Sequence, residues 1–220
     1  VRACVLNPKG RVLSIIEVKK RPEDLLVVCP PGLYDATLDM FDAHAIADDV
    51  EFARAEGPLS RVWADVAAVW EAMPILGPPE GPVASAEEIE VRRIEAGFPA
   101  YGVDVTDANF PFETPLIRHV DMHKGCYTGQ EPVARVIARG SAQKQLVGLR
   151  LEGDGPAAAG DEIAVPEKER GGRVTSSVVS PDFGPIALAY VHRSAIAPGT
   201  EVTVAGDRRA RVAALPFSPL

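Results

Sequence analysis

The chain has 220 residues, 46% of them hydrophobic and 25% charged, proportions that suit one large globular domain or two smaller ones. A formal charge of −8 excludes broad nucleic-acid binding, which needs a basic surface to displace phosphate counterions. No apolar run reaches the roughly 18–20 residues needed to cross a bilayer, and three scattered cysteines, Cys4, Cys29 and Cys126, do not make a disulfide framework. A reducing, cytoplasmic setting is the expectation. Because the chain opens on Val1 without a methionine, its natural N-terminus is expected to lie upstream.

Val1–Leu6 and Arg11–Val18 are strand candidates around Asn7-Pro-Lys-Gly10, a tetrapeptide with Asn, Pro and Gly at the positions a tight turn favours. Leu25–Cys29 predicts a third strand. Tyr34–His44 predicts a helix with Leu38, Phe41 and Ala45 on one face. Val50–Phe52 predicts a short strand and Leu59–Ala72 a further helix. Leu76-Gly-Pro-Pro-Glu-Gly-Pro82 is a rigid connector. Ser85 and Glu88 then form a capping box that starts a helix ending at Ala96, with Gly97 as its left-handed stop.

Beyond about Gly140 the pattern changes to short strand-like runs, Leu146–Leu151, Arg173–Val179, Ile186–Val191, Glu201–Val204 and Arg209–Leu215, separated by glycine turns. That spacing predicts a sandwich or small barrel. The chain is therefore expected to be α+β, with residues 1–142 as one region and residues 143–220 as a C-terminal β-domain.

The segment from Asp121 to Gly140 is the richest in chemistry. Thr128-Gly-Gln-Glu131 is a second capping-box candidate, Gly140 a candidate stop, and Glu131 and Arg135 lie four apart in the orientation that favours a pair. Cys126 then precedes a helix N-terminus beside Lys124, and both the helix dipole and the ammonium favour thiolate over thiol. Gly125 and Gly129 bracket it and leave room for a ligand near the backbone. Either Cys126 reacts with or contacts a ligand, or it is a plain loop cysteine. Between Asp121 and Arg150, five Lys or Arg stand against two acids: either a solvated helix face or a cationic wall around an anion. His119, His123 and Cys126 share one helical face, yet Gly125 breaks the helix a zinc site there would need. Glu95, Tyr101 and Asp104, at a helix end and in the loop after it, form either a ligand site or a capped helix with a surface loop. Asp48-Asp49 reads as a solvated turn after a helix end rather than a catalytic pair.

Lys124-Gly-Cys-Tyr-Thr-Gly-Gln-Glu131, followed by Val133-Ala-Arg135, resembles the signature of the YgfZ proteins, relatives of the T-protein of the glycine cleavage system. Arg93-Ile-Glu-Ala-Gly97 with Tyr101-Gly102 resembles the pterin-holding stretch of the wider folate family. Asn7–Leu13 resembles its early hairpin, and Val174–Ser176, Gly184 and Ile186–Tyr190 its C-terminal β-domain. The resemblance covers essentially the whole chain, although the family normally has an additional N-terminal segment.

The resemblance implies lobes around a central channel that binds tetrahydrofolate, followed by a small β-barrel. It implies an accessory role in assembling or maintaining iron–sulfur clusters in client proteins, some of which modify tRNA. Cys126 and Lys124 are then expected to carry the chemistry. Glu95, Tyr101, Asp104, Gly125, Tyr127, Gly129, Gln130, Glu131 and Arg135 are expected around the folate. In the glycine-cleavage enzymes the strand after the hairpin carries an acid, whereas Ser14 and Ile15 stand there in this chain. On that ground aminomethyl transfer is disfavoured. Folate-dependent one-carbon transfer or demethylation is the alternative, and a non-catalytic interaction module the third reading.

Overall fold

The computed structural model describes residues 1–47, 49–63, 65–121, 123–139, 142–166 and 168–218. Strands β1 (Arg2–Leu6) and β2 (Val12–Lys20) form an antiparallel hairpin, and β3 (Leu25–Val28) adds antiparallel to the other side of β2. The hairpin turn forms for local reasons. Asn7 Oδ1 accepts hydrogen bonds from the Lys9 and Arg11 N–H groups at 2.9 and 3.0 Å, and Gly10, at φ +76°, donates to the Asn7 carbonyl at 2.8 Å.

Helix α1 (Tyr34–His44) has the predicted bounds, and its Leu38, Phe41 and Ala45 are half-buried. Two other expectations fail. Val50–Phe52 forms no strand, and the Phe52 ring stacks on Phe41 with centroids 5.7 Å apart. The helix expected over Leu59–Ala72 is absent; β4 (Leu59–Ser60) pairs with β5 (Ile75–Leu76), and a 3-10 turn, Ala67–Trp70, lies between them. Tertiary contacts explain the difference. Leu59 and Val62 stay exposed, so no continuous apolar stripe is buried. The carbonyls of Trp70 and Ala72 accept from the Arg2 guanidinium, and Ala72 also from Arg61.

Helix α2 (Ala86–Glu95) starts at the predicted capping box, with the Glu88 N–H on Ser85 Oγ at 3.1 Å and the Ser85 N–H on Glu88 Oε2 at 2.7 Å. It stops before Gly97 at φ +68°. Helix α3 (Gln130–Arg139) follows the cysteine motif. Its expected stop at Gly140, and Asp48 of the Asp48-Asp49 turn, lie outside the described residues. None of the described helices is long and apolar enough to cross a membrane.

The C-terminal strands are β6 (Lys144–Leu151), β7 (Glu162–Val165), β8 (Lys168–Ser180), β9 (Gly184–His192), β10 (Glu201–Val204) and β11 (Arg208–Ala213). All pair antiparallel in the order β10-β11-β6-β9-β8-β7, and β10 closes onto β7. Closure removes the free edges that invite pairing with other chains. Alternate residues point inward, so Leu149, Ile163, Val174 and Val204 fill the barrel, each contributing roughly 1.5–3 kcal/mol of burial. A second core joins the hairpin to the middle of the chain through Leu6, Val12, Ile15, Trp70, Leu116 and Val133. A third, built on Ile94, Leu188, Tyr190 and Phe217, fastens α2 to the outside of the barrel.

Candidate functional site

The cysteine motif sits against the β1–β2 hairpin. Gly129, at φ +81°, is buried, and a Cβ there would lie 2.5 Å from the Asn7 carbonyl oxygen. Only glycine permits this approach, which fixes the start of α3 on the hairpin turn. Gly125 differs, because a Cβ there would meet open space. The loop before it is shaped by Asp121, whose Oδ1 accepts from the His123 and Lys124 N–H groups at 2.7 and 3.2 Å.

Cys126 is exposed, and the Lys124 ammonium lies 5.0 Å from the centre of the Tyr127 ring. Helix α3 begins with the Gln130 N–H on the Tyr127 carbonyl at 3.2 Å. The second capping box does not form, since Glu131 pairs with Arg135 on the exposed face instead. Pro8, Tyr127, Thr128, Gly129, Gln130 and Glu131 line an open cavity of about 600 Å³ whose lining includes neither Cys126 nor Lys124. The Tyr127 hydroxyl oxygen is buried without a hydrogen-bond partner, and burial followed by the charge of Asp121 pushes the phenol up.

Glu95 and Asp104 lie elsewhere, between α2 and the barrel. Glu95 is fully buried; its Oε1 accepts from Ser180 Oγ at 2.6 Å and its Oε2 from Arg92 at 2.7 Å. Asp104 accepts from Arg93 at 2.6 Å, the Ala100 N–H at 2.9 Å, Thr175 Oγ1 at 2.5 Å and Ser176 Oγ at 2.7 Å. These contacts compensate the desolvation of two buried carboxylates. Tyr101, half-buried, packs against the hairpin core, as does Tyr127. The cavity of the cysteine motif therefore receives no side chain from Glu95, Tyr101 or Asp104.

Sequence reasoning named Ser14 and His119 for other reasons without foreseeing their surroundings, and it missed Glu17. Ser14 is buried on β2 and its Oγ has no partner; His119 Nε2 is orphaned in the same way. His119 stacks on Trp70 with centroids 5.7 Å apart, and burial, then Arg2 and Arg118, hold its pKa below the usual imidazole value. Glu17, three residues beyond Ser14, is a buried acid held by Arg2 and Arg61. The signal for Glu17 was an acid among the apolar residues of β2, while the two orphans leave no mark in the sequence.

Residues 144–218 match the family model of the glycine cleavage T-protein C-terminal barrel domain. Over 163 residues the chain is 37% identical to the Aminomethyltransferase of Streptomyces avermitilis, covering 70% of this chain and 44% of that protein. It is 36% identical over 163 residues to the Aminomethyltransferase of Symbiobacterium thermophilum, covering 70% of this chain and 42% of that one. The chain thus spans less than half the length of these relatives. The fold also resembles the crystal structure of glycine cleavage system aminomethyltransferase T from Bartonella henselae, with a TM-score of 0.75, 18% identity, and coverage of 99% of this chain and 75% of that one.

These relatives overturn two expectations, the iron–sulfur accessory role as the main function and the disfavouring of aminomethyl transfer. The second rested on Ser14 and Ile15, a single place on β2, whereas the likeness to proteins named aminomethyltransferase extends over 163 residues. The family model thus covers the C-terminal barrel, the likeness to proteins named Aminomethyltransferase extends over 163 residues, and the likeness to the Bartonella henselae structure is one of fold.

Proposed function

We propose that the chain serves folate-dependent transfer of a one-carbon unit, aminomethyl or methyl, as an aminomethyltransferase-like protein. The observation that carries this reading is the 37% identity over 163 residues to the Streptomyces avermitilis Aminomethyltransferase. In this reading the substrate is a small aminomethyl- or N-methyl-bearing donor, and reduced folate is the partner, held by lobes around a central channel. The Lys124–Glu131 motif, by its resemblance, makes a YgfZ-like branch of the superfamily the finer proposal.

The residues present fit tetrahydrofolate in part. Tyr127 lines the open cavity of about 600 Å³ and can offer part of its ring to a flat ligand, while its hydroxyl oxygen is buried. Gln130 and Glu131 line the same cavity and supply amide and carboxylate partners. Glu95 does not fit as a direct contact in this conformation, because both its oxygens are bonded and it is fully buried. When bound, tetrahydrofolate supplies the nitrogen acceptor for the one-carbon unit. The chain's own groups then have three tasks. Gln130 and the Tyr127 ring orient the ligand, the Gly129–Asn7 contact holds the start of α3 in place, and exposed Cys126, next in sequence to Tyr127, leaves its thiol open to solvent.

The test is incubation of purified protein with tetrahydrofolate and either an aminomethyl or an N-methyl donor, with the folate products separated by chromatography. One-carbon-loaded folate is expected, together with saturable tetrahydrofolate binding that Gln130→Ala weakens. Neither binding nor product with any donor overturns the reading.

A further inference from the structure

A second cavity, of about 340 Å³, lies between β3, α1 and the segment 51–55 and takes no part in the reading above. Its size falls in the range of small-molecule sites. Leu26 lines it and is buried, and Phe41 and Phe52 face each other across 5.7 Å at 15°, so one wall is apolar and aromatic. Thr37 lines it as well. That residue is only 7% exposed, and its hydroxyl makes no hydrogen bond among the described residues. A threonine hydroxyl that makes no such bond and lines a cavity can bond to a polar group that enters the cavity.

The charges on the rim narrow the choice. Arg21 and Asp24 neutralise each other through two hydrogen bonds of 2.5 Å. Arg54 is positioned by the Tyr34 ring, with its guanidinium carbon 5.1 Å from the ring centre. Neither Arg54 nor Glu51 forms an ion pair among the described residues, and both line the cavity. One cation and one acid, three residues apart in sequence, thus border an apolar wall. A simple anion would satisfy Arg54 and be repelled by Glu51, and a simple amine would meet the reverse.

We propose that this cavity binds a free α-amino acid with an aromatic or bulky apolar side chain. The side chain lies against Phe41 and Phe52, the carboxylate faces Arg54, the ammonium faces Glu51, and the Thr37 hydroxyl bonds to the polar head. Arg54 offers the planar fork that suits a carboxylate.

The probe is L-phenylalanine, titrated calorimetrically into the full chain beside phenylacetate, which lacks the ammonium, and phenethylamine, which lacks the carboxylate. Phenylalanine is expected to bind at least about tenfold more tightly than either analogue, and Arg54→Gln to weaken it by a similar factor. Arg54 is exposed, so this variant keeps the fold, which circular dichroism checks. Cys29 lines the same cavity, so bound phenylalanine is also expected to slow its alkylation while leaving Cys126 unchanged. Equal affinity for the three probes, no saturable binding of phenylalanine, or unchanged affinity in Arg54→Gln overturns the proposal. All of these readouts are independent of folate and of one-carbon turnover.

Discussion

Ser180, on the last residue of β8, donates its hydroxyl to the Oε1 of Glu95, the last residue of α2, at 2.6 Å and across 85 positions of sequence. That bond ties the folate-family carboxylate to the barrel instead of presenting it to solvent. Ser180→Ala is therefore expected to cost about 1–3 kcal/mol of stability, the range for leaving a buried acceptor short of a partner. Glu95→Gln is expected to cost a comparable amount. The two changes share one bond, so a double-mutant cycle in urea should show coupling of about 0.5–3 kcal/mol. Additive effects would mean that the bond contributes nothing.

The buried acid on β2 predicts a pH dependence. Burial pushes the Glu17 carboxyl up, but the hydrogen bond and charge of Arg61, and then those of Arg2, outweigh it and hold the pKa below the ordinary glutamate value. A group whose folded pKa is depressed contributes stability that is present above its unfolded pKa, near 4.3, and lost as pH falls through the folded value. Wild-type protein should thus lose stability below about pH 4 in part through this group. Glu17→Gln should be less stable by about 3–5 kcal/mol at pH 7, because it leaves the Arg2 guanidinium buried without its carboxylate. The gap between the two proteins should narrow as pH falls. Thermal melts from pH 3 to 7 provide the measurement, and a gap that is constant over this range would remove Glu17 as the source.

What was legible in the sequence was local. Asn7 and Gly10 specified the hairpin, Ser85 with Glu88 started α2, and Gly97 ended it, because each of those signals acts within a few residues. The barrel strands were legible from their spacing, except β7 (Glu162–Val165). The stretch from Leu59 to Ala72 was not legible, because its conformation depends on Arg2, some seventy residues earlier, bonding to its carbonyls. The same limit governed the site. Glu95 and Asp104 read as available carboxylates, and their partners Ser180, Thr175 and Ser176 come from the barrel more than seventy residues later. Cys126 could be placed ahead of a helix, but nothing in its neighbourhood indicated that Tyr127, rather than the thiol, would line the cavity.

Two glycines of the cysteine motif should respond oppositely to alanine. Gly129 has a positive φ, and a methyl group there meets the Asn7 carbonyl oxygen at 2.5 Å. Gly129→Ala should cost at least about 1–2 kcal/mol from the left-handed backbone alone, with the clash added. Gly125 has open space at the same position, so Gly125→Ala should shift stability by less than about 0.5 kcal/mol. Chemical denaturation of both variants decides the matter. Equal effects would show that the hairpin does not seat the start of α3. If the folate reading is right, Gly129→Ala should also weaken tetrahydrofolate binding.

The three thiols should be ranked by their surroundings. Cys126 is exposed, whereas Cys4 and Cys29 are half-buried in or beside strands. Burial also pushes the Cys4 thiol up to about 12. At pH 8 its thiolate fraction is then on the order of 10⁻⁴, and the thiolate is the species that reacts. Iodoacetamide should accordingly label Cys126 first, Cys29 more slowly and Cys4 slowest. The Cys4 rate in folded protein should keep rising through pH 10, where a thiol of ordinary acidity near pKa 8.5 has levelled off. Peptide mapping after timed labelling at pH 7, 8, 9 and 10 separates the three sites. Tetrahydrofolate added before the reagent then tests whether the ligand covers Cys126. If folate sits in the cavity beside Tyr127, Cys126 labelling should slow while Cys4 is unaffected. Labelling of Cys4 as fast as Cys126 in the folded state would show that β1 opens on the timescale of the reaction.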